Sequence, residues 1–223
     1  MSILNKLMSN RKKPEIPFGI HSRCYILSID NDEITNSEGE RLNMNTHIKF
    51  GKKNKEGDFI QELKISWFDL DSTKERVYTD FLDQLDAMTS IADLILGVDD
   101  KGLNKWDEKL NAIFEEEEIE TEKDLVDVIS TQKSCTVFMK QMCDAFAKLL
   151  SKKVGEDSEE IRLKVVYDYK GVRLRQPSKG KFIESASVKE EDSLLSMSQY
   201  DLDTLNKNKK LLKPATMSKV SEI

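Results

Sequence analysis

Residues 161–183 read IRLKVVYDYKGVRLRQPSKGKFI, and their pattern decides how the flanking elements fit together. Ile161, Leu163, Val165 and Tyr167 alternate with Arg162, Lys164, Val166 and Asp168, the period-two signature of a strand. Tyr169-Lys170-Gly171 supplies a tight turn, Val172-Arg173-Leu174-Arg175 a returning strand, and Pro177 to Gly180 a loop before Phe182-Ile183. This stretch carries 7 basic residues and one acid, a net +6, in a chain whose total is −6. Residues 71–160, just before it, carry 11 Lys/Arg against 23 Asp/Glu, a net −12. A cationic β-unit beside an anionic helical block points toward a polyanion ligand. The low pI of about 5.2 confines any such site to a local patch.

Strand periodicity also fills the start of the chain. Residues 1–17 are polar and basic, end in Pro14 and Pro17, and read as a flexible arm. From Gly19 one face holds Ile20, Cys24 and Ile26, and the other Arg23, Tyr25, Leu27 and Ile29. After a polar turn region at 30–41, Met44, Thr46, Ile48 and Phe50 alternate with Asn45, His47 and Lys49. The loop 51–58 leads into a third run, with Phe59, Gln61, Leu63, Ile65 and Trp67 on one side. Ile60, Glu62, Lys64, Ser66 and Phe68 take its other side, which completes a three-stranded meander.

The period changes at Asp71-Ser72-Thr73, where Ser72 or Thr73 can cap a helix carrying Val77, Phe81, Leu85 and Met88. Gly97 and the following Asp99-Asp100-Lys101-Gly102 end it. A second helix from Leu103 turns Trp106, Leu110 and Ile113 inward, and Thr121-Glu122-Lys123-Asp124 caps a long third one with a break near Ser130-Thr131. Beyond Glu184 the Ser-, Lys- and Asn-rich tail, 185–223, is expected to be largely disordered, with a short helix at 193–205.

Bulk properties narrow the class. No window offers the ~20 uninterrupted apolar residues of a membrane helix. The N-terminus has its apolar patch ahead of its basic cluster, the reverse of a secretory leader, and reads as a cytosolic start. Cys24, Cys135 and Cys143 are odd in number and widely spaced, and read as small buried apolar residues. His21 and His47 are the two histidines, neither with Cys or His at metal-ligand spacing, so no metal or cofactor is expected. There is no glycine-rich phosphate loop and no Gly-x-Ser-x-Gly, and helix capping accounts for Asp69 and Asp71, so the chain reads as non-enzymatic.

Three strands, a helical segment and two strands give an α+β chain. Five antiparallel strands with a helix between the third and fourth is the layout of an OB-fold barrel. Strands 1–3 would occupy 18–70, a large helical insertion 71–160, and strands 4–5 residues 161–184. A generic α+β sandwich with a helical cap is the competing architecture. Gly19-Ile20-His21, the meander ending Lys64-Ile65-Ser66-Trp67-Phe68, and residues 162–171 (RLKVVYDYKG) resemble the OB-fold single-stranded DNA-binding proteins of bacteriophages. The resemblance covers about 17–70 and 160–184. It departs in the size of the insert and in the C-terminal end, which lacks a concentrated acidic tip. It implies single-stranded DNA as ligand, a role in phage-type DNA replication or recombination, and residence in the host cytoplasm.

Binding an unpaired strand without reading its sequence needs cations for phosphates and π-faces for bases on one surface. Residues with that chemistry and outward parity are Arg23 and Tyr25 on strand one, and His47 and Lys49 on strand two. Lys64 and Phe68 follow on strand three, Arg162 and Lys164 on strand four, and Tyr169, Lys170, Arg173 and Arg175 on the turn and last strand. Each has a plainer role open to it. Tyr25 and Phe68 fit a core equally well, His47 fits an ordinary surface, and Lys52, Lys53 and Lys55 read as a solubility cluster. The cations of 161–183 also suit a guarded edge strand. The expectation is a strand-coating protein whose acidic insert or tail serves replication or recombination partners. The rival is a virion or replisome interaction module acting through the insert.

Overall fold

The first strand, β1 (Gly19–Thr35), serves two partners in turn. Its opening residues pair with β4 (Ile161–Tyr167), from Gly19 opposite Val165 to Cys24 opposite Ile161. From Cys24, which also faces Lys52, it pairs with β2 (Arg41–Lys53). Both ladders shift register where the partner changes, between His21 and Cys24 and again between Ile26 and Ser28. Such bulges bend and twist a strand, and here they let one strand join the meander to the late strands. The computed structural model describes residues 16–35, 41–67, 70, 75–167, 174–175 and 182–208.

β3 (Phe59–Trp67) pairs with β2, while β5 (Leu174–Arg175) and β6 (Ile183–Ser185) pair with β4. All the ladders are antiparallel, in the order β3-β2-β1-β4-β5 with β6 also on β4. The α+β class and the five antiparallel strands stand. Among the described residues no ladder joins β3 to β5 or β6, so the sheet is open there.

Four helices lie between β3 and β4: α1 (Val77–Leu96), α2 (Lys105–Glu116), α3 (Glu122–Ile129) and α4 (Gln132–Leu150). Asn104 caps α2, its side chain accepting from the Trp106 N–H while Asp107 accepts from the Asn104 N–H. Thr121 and Asp124 form the same reciprocal box on α3. The interruption between α3 and α4 falls where Ser130 and Thr131 predict it. Residues 71–74, with the expected caps Ser72 and Thr73, lie outside the described residues.

Helix α4 packs on β1 and β2 and on all three preceding helices. Phe138 on α4 meets Phe81 and Phe114 at ring-centroid distances of 5.8 Å each, and Phe146 meets Trp106 edge-on at 5.3 Å. These rings and the inner face of the sheet, with Ile26, Ile29, Ile48, Phe50, Leu63 and Ile65, form one continuous core. The helical segment therefore buries its apolar stripe against the sheet. No described helix is long and apolar enough to cross a membrane.

The tail is described through Asn208. A 3-10 turn at Glu190–Asp192 leads to α5 (Gln199–Asn208), which overlaps the short helix expected at 193–205. Besides the β6 ladder and buried Leu195, two buried carboxylates, Glu184 and Asp201, tie this segment to β4.

Candidate nucleic-acid interface

The ladders sort β1–β3 into two faces. Rows Ile26/Phe50/Leu63 and Ile29/Ile48/Ile65 point into the core. The alternate rows are Tyr25/Gly51/Glu62, Ser28/Lys49/Lys64 and Asp30/His47/Ser66, and these form the opposite face. Tyr25, His47, Lys49 and Lys64 thus share one surface, and Arg23 sits at its end on the β1 bulge. The face is mixed in charge, because Asp30, Asp32 and Glu62 lie on or beside it.

Lys49 and Lys64 stand directly opposite each other on neighbouring strands. Like charges so placed weaken a sheet unless something offsets them. Lys49 is partly offset by Glu62 at 3.0 Å, whereas Lys64 is exposed. His47 offers less than its position promises. Its side chain is 14% exposed, with Nε2 3.8 Å from the Asp32 carboxylate. Burial first, then the nearby Lys64, lower its pKa, and Asp32 works against both.

Tyr25 belongs to a built cluster. Its ring meets Phe59 edge-on, with centroids 5.8 Å apart, and Lys53 Nζ lies 4.1 Å from the Tyr25 centroid and 4.7 Å from that of Phe59. Lys53 Nζ also donates to the Glu156 carbonyl at 3.0 Å. The Tyr25 hydroxyl donates to Glu160 Oε2 at 3.1 Å, and the Arg23 N–H to Glu160 Oε1 at 3.2 Å. Burial, then the bond to Glu160, raise the Tyr25 phenol above its ordinary pKa. Arg23 itself is held at φ 53°, a left-handed conformation that costs a non-glycine residue energy.

Phe59 and Lys53 escape a reading by periodicity. Alternation groups Phe59 with Leu63 and Ile65, but a register shift between Lys52 and Lys53 rotates it to the Tyr25 face. Gly51 makes room for it. A Cβ there would lie 2.7 Å from the ends of both Leu27 and Phe59.

Strand β4 overturns part of the expected site. Arg162 and Lys164 do not face water. Arg162 Nη2 contacts Glu184 Oε1 at 2.8 Å and donates to the Val188 carbonyl at 2.6 Å. Lys164 Nζ lies 2.8 Å from Asp201 Oδ2, with 4% of its side chain exposed. The cause is twofold: β6 pairs alongside β4 and sets Glu184 directly across from Arg162, and α5 packs against β4 and brings Asp201 to Lys164. Burial works to raise the Asp201 carboxyl, but bonds from Lys164 and Ser198 outweigh it and hold the group below its ordinary pKa. Phe68, Tyr169, Lys170 and Arg173 lie outside the described residues, and Arg175 is described only as the backbone partner of Val166 in β5.

The other reactive groups are built into the structure. Cys24, Cys135 and Cys143 are buried thiols, their pKa pushed by burial to about 12, about 11 and about 12. His21 Nε2 sits 2.8 Å from the Pro17 carbonyl and Nδ1 3.0 Å from Lys52 Nζ. Burial, then Lys52, lower its pKa. Among the described residues no three His, Cys, Asp or Glu side chains converge as a metal site. No family model, no curated protein and no solved structure matches this chain.

Proposed function

We propose that this chain binds single-stranded DNA without sequence preference, as a non-enzymatic protein of phage-type DNA replication or recombination acting in the host cytoplasm. Its sheet is then an opened OB-like layout, with β1 shared between β2 and β4 and four helices inserted between β3 and β4. The observation that carries the reading is the opposed pair Lys49 and Lys64, on the same sheet face as Tyr25, with Arg23 at the end of that face. A sheet keeps two ammonium groups side by side at a cost that a bound phosphate removes. The ring of Tyr25 supplies the π-face for a base, worth about 1–3 kcal/mol per stacked base. Tyr169, Lys170 and Arg173, which lie between β4 and β5 in the sequence, and Arg175 in β5 belong to the same reading.

With Arg162 and Lys164 engaged internally, three of the expected phosphate contacts lie on the β1–β3 face among the described residues: Arg23, Lys49 and Lys64. Titration with oligo-dT across salt concentrations tests this. Three phosphate contacts give a log–log slope of about −2. No binding at low salt, or a slope near zero, overturns the reading.

A second reading is a protein-interaction module, a virion or replisome part acting through the acidic helices. The internal neutralisation of Arg162 and Lys164 favours it, since these two cations of the basic stretch are spent on the molecule's own carboxylates. It expects indifference to oligonucleotides and a protein partner that stays bound after nuclease treatment.

A further inference from the structure

The segment leading from the last helix of the acidic block into β4 is fastened to the ligand face at several points. The Ile26 carbonyl, at the β1 register shift, accepts from the Gly155 N–H at 2.9 Å and from Ser158 Oγ at 3.2 Å. The Glu156 carbonyl holds Lys53 over the two rings. Glu160 goes furthest. One carboxylate oxygen fixes the Tyr25 hydroxyl, the other the Arg23 backbone, and its own carbonyl accepts from the Ala186 N–H at 3.0 Å.

Charge alone would make Glu160 harmful here, because a carboxylate beside a phosphate-binding face repels the ligand. The geometry points to the opposite role. We infer that Glu160 is a positioning residue of the strand-binding face, holding the Tyr25 ring and the strained Arg23 bulge in the arrangement that receives a base and its phosphate. This rests on the proposed reading of that face as a single-strand site. Tyr25 and Glu160 are 135 positions apart in the chain, so the last residue of the acidic block completes a site on the first strand.

The two roles predict opposite signs. If Glu160 only repels, Glu160→Ala and Glu160→Gln both tighten oligo-dT binding at low salt. If it positions, Glu160→Ala weakens binding about tenfold, the scale of one misplaced stacking contact. Glu160→Gln keeps an oxygen acceptor for the Tyr25 hydroxyl but turns its NH2 toward the Arg23 N–H, so it weakens binding by less than Glu160→Ala. Tyr25→Phe removes the hydroxyl bond alone while keeping the ring, the carboxylate and its bond to the Arg23 N–H, and serves if Glu160→Ala does not fold. It is expected to weaken binding by less than Glu160→Ala does, and the double variant loses no more than Glu160→Ala by itself. Equal or tighter binding by Glu160→Ala, or by Tyr25→Phe where that variant must stand in, overturns the inference while leaving the single-strand site intact. If the unmodified protein ignores oligo-dT at low salt, the proposed function falls, and the inference with it.

Discussion

The Lys164 ammonium lies 2.8 Å from the Asp201 carboxylate, and the two side chains are 4% and 6% exposed. A buried pair of this kind adds little over an apolar pair of the same shape, but removing one partner strands the other charge away from water. Asp201→Ala is therefore expected to cost about 3–5 kcal/mol of folding stability. Lys164→Met combined with Asp201→Leu should restore much of that loss. Denaturant unfolding of the three variants measures both effects. A loss below about 1 kcal/mol for Asp201→Ala, the scale of an exposed pair, would mean the pair is open to water.

Lys64 is expected to behave in the reverse way. It is exposed and faces Lys49 across the strand pair. Lys64→Ala should leave stability unchanged or raise it by about 0.2–1 kcal/mol, because a like-charge pair disappears. It should also make the salt slope of oligo-dT binding shallower by about 0.7, the loss of one phosphate contact. An unchanged slope removes Lys64 from the interface.

His21 ties stability to pH. Its pKa in the folded chain lies below the ordinary 6.5, so the unfolded chain binds more protons once the pH drops under that value. The contribution is complete above pH 6.5 and is lost as the pH falls toward the depressed folded value. Protonation would also set a second positive charge against Lys52, whose Nζ now sits 3.0 Å from Nδ1. His47 is shifted in the same direction and adds to the effect. Unfolding free energies between pH 7.5 and 5 should fall in the unmodified protein and fall less in His21→Gln. Parallel curves for the two proteins would contradict this.

Gly51 is a packing site within the face. An added Cβ meets Leu27 and Phe59 at 2.7 Å, so Gly51→Ala must push one of them aside. The expected cost is about 1–3 kcal/mol, typical of overpacking. A lowered melting temperature that Phe59→Leu partly restores would locate the clash at the ring. No change in melting temperature would show that the ring moves freely.

Periodicity carried the reading of β2 and most of β3 because one face of the sheet is sealed against helices. In β1 the shift between Ile26 and Ser28 turns Ile29 from the Tyr25 face into the core, and the strand continues to Thr35 through part of the expected turn. Alternation then sends Tyr25, His47, Lys49 and Lys64 to the other face, where the structure has them. The caps at Asn104 and Thr121 and the break before Gln132 are local, and a local signal suffices for Thr121 and the break. Phe59 was hidden because one residue of slip at Lys53 reverses its side, and no composition announces a bulge. Arg162 and Lys164 were misplaced for a different reason. Alternation of basic and apolar residues means one wet face only if nothing covers it. Here the cover comes from Glu184 and Asp201, 22 and 37 positions downstream of their partners.

The shared core governs how far the molecule can be pared down. Splicing Leu70 to Ile161 would strip β1 and β2 of the helix α4 surface they pack on. It would also take away Gly155, Ser158 and Glu160, which tether the kinked strand from outside the sheet. A strand-only minidomain would therefore lack both its lining and its stays, and the ninety-residue excursion is a structural requirement of the sheet it interrupts.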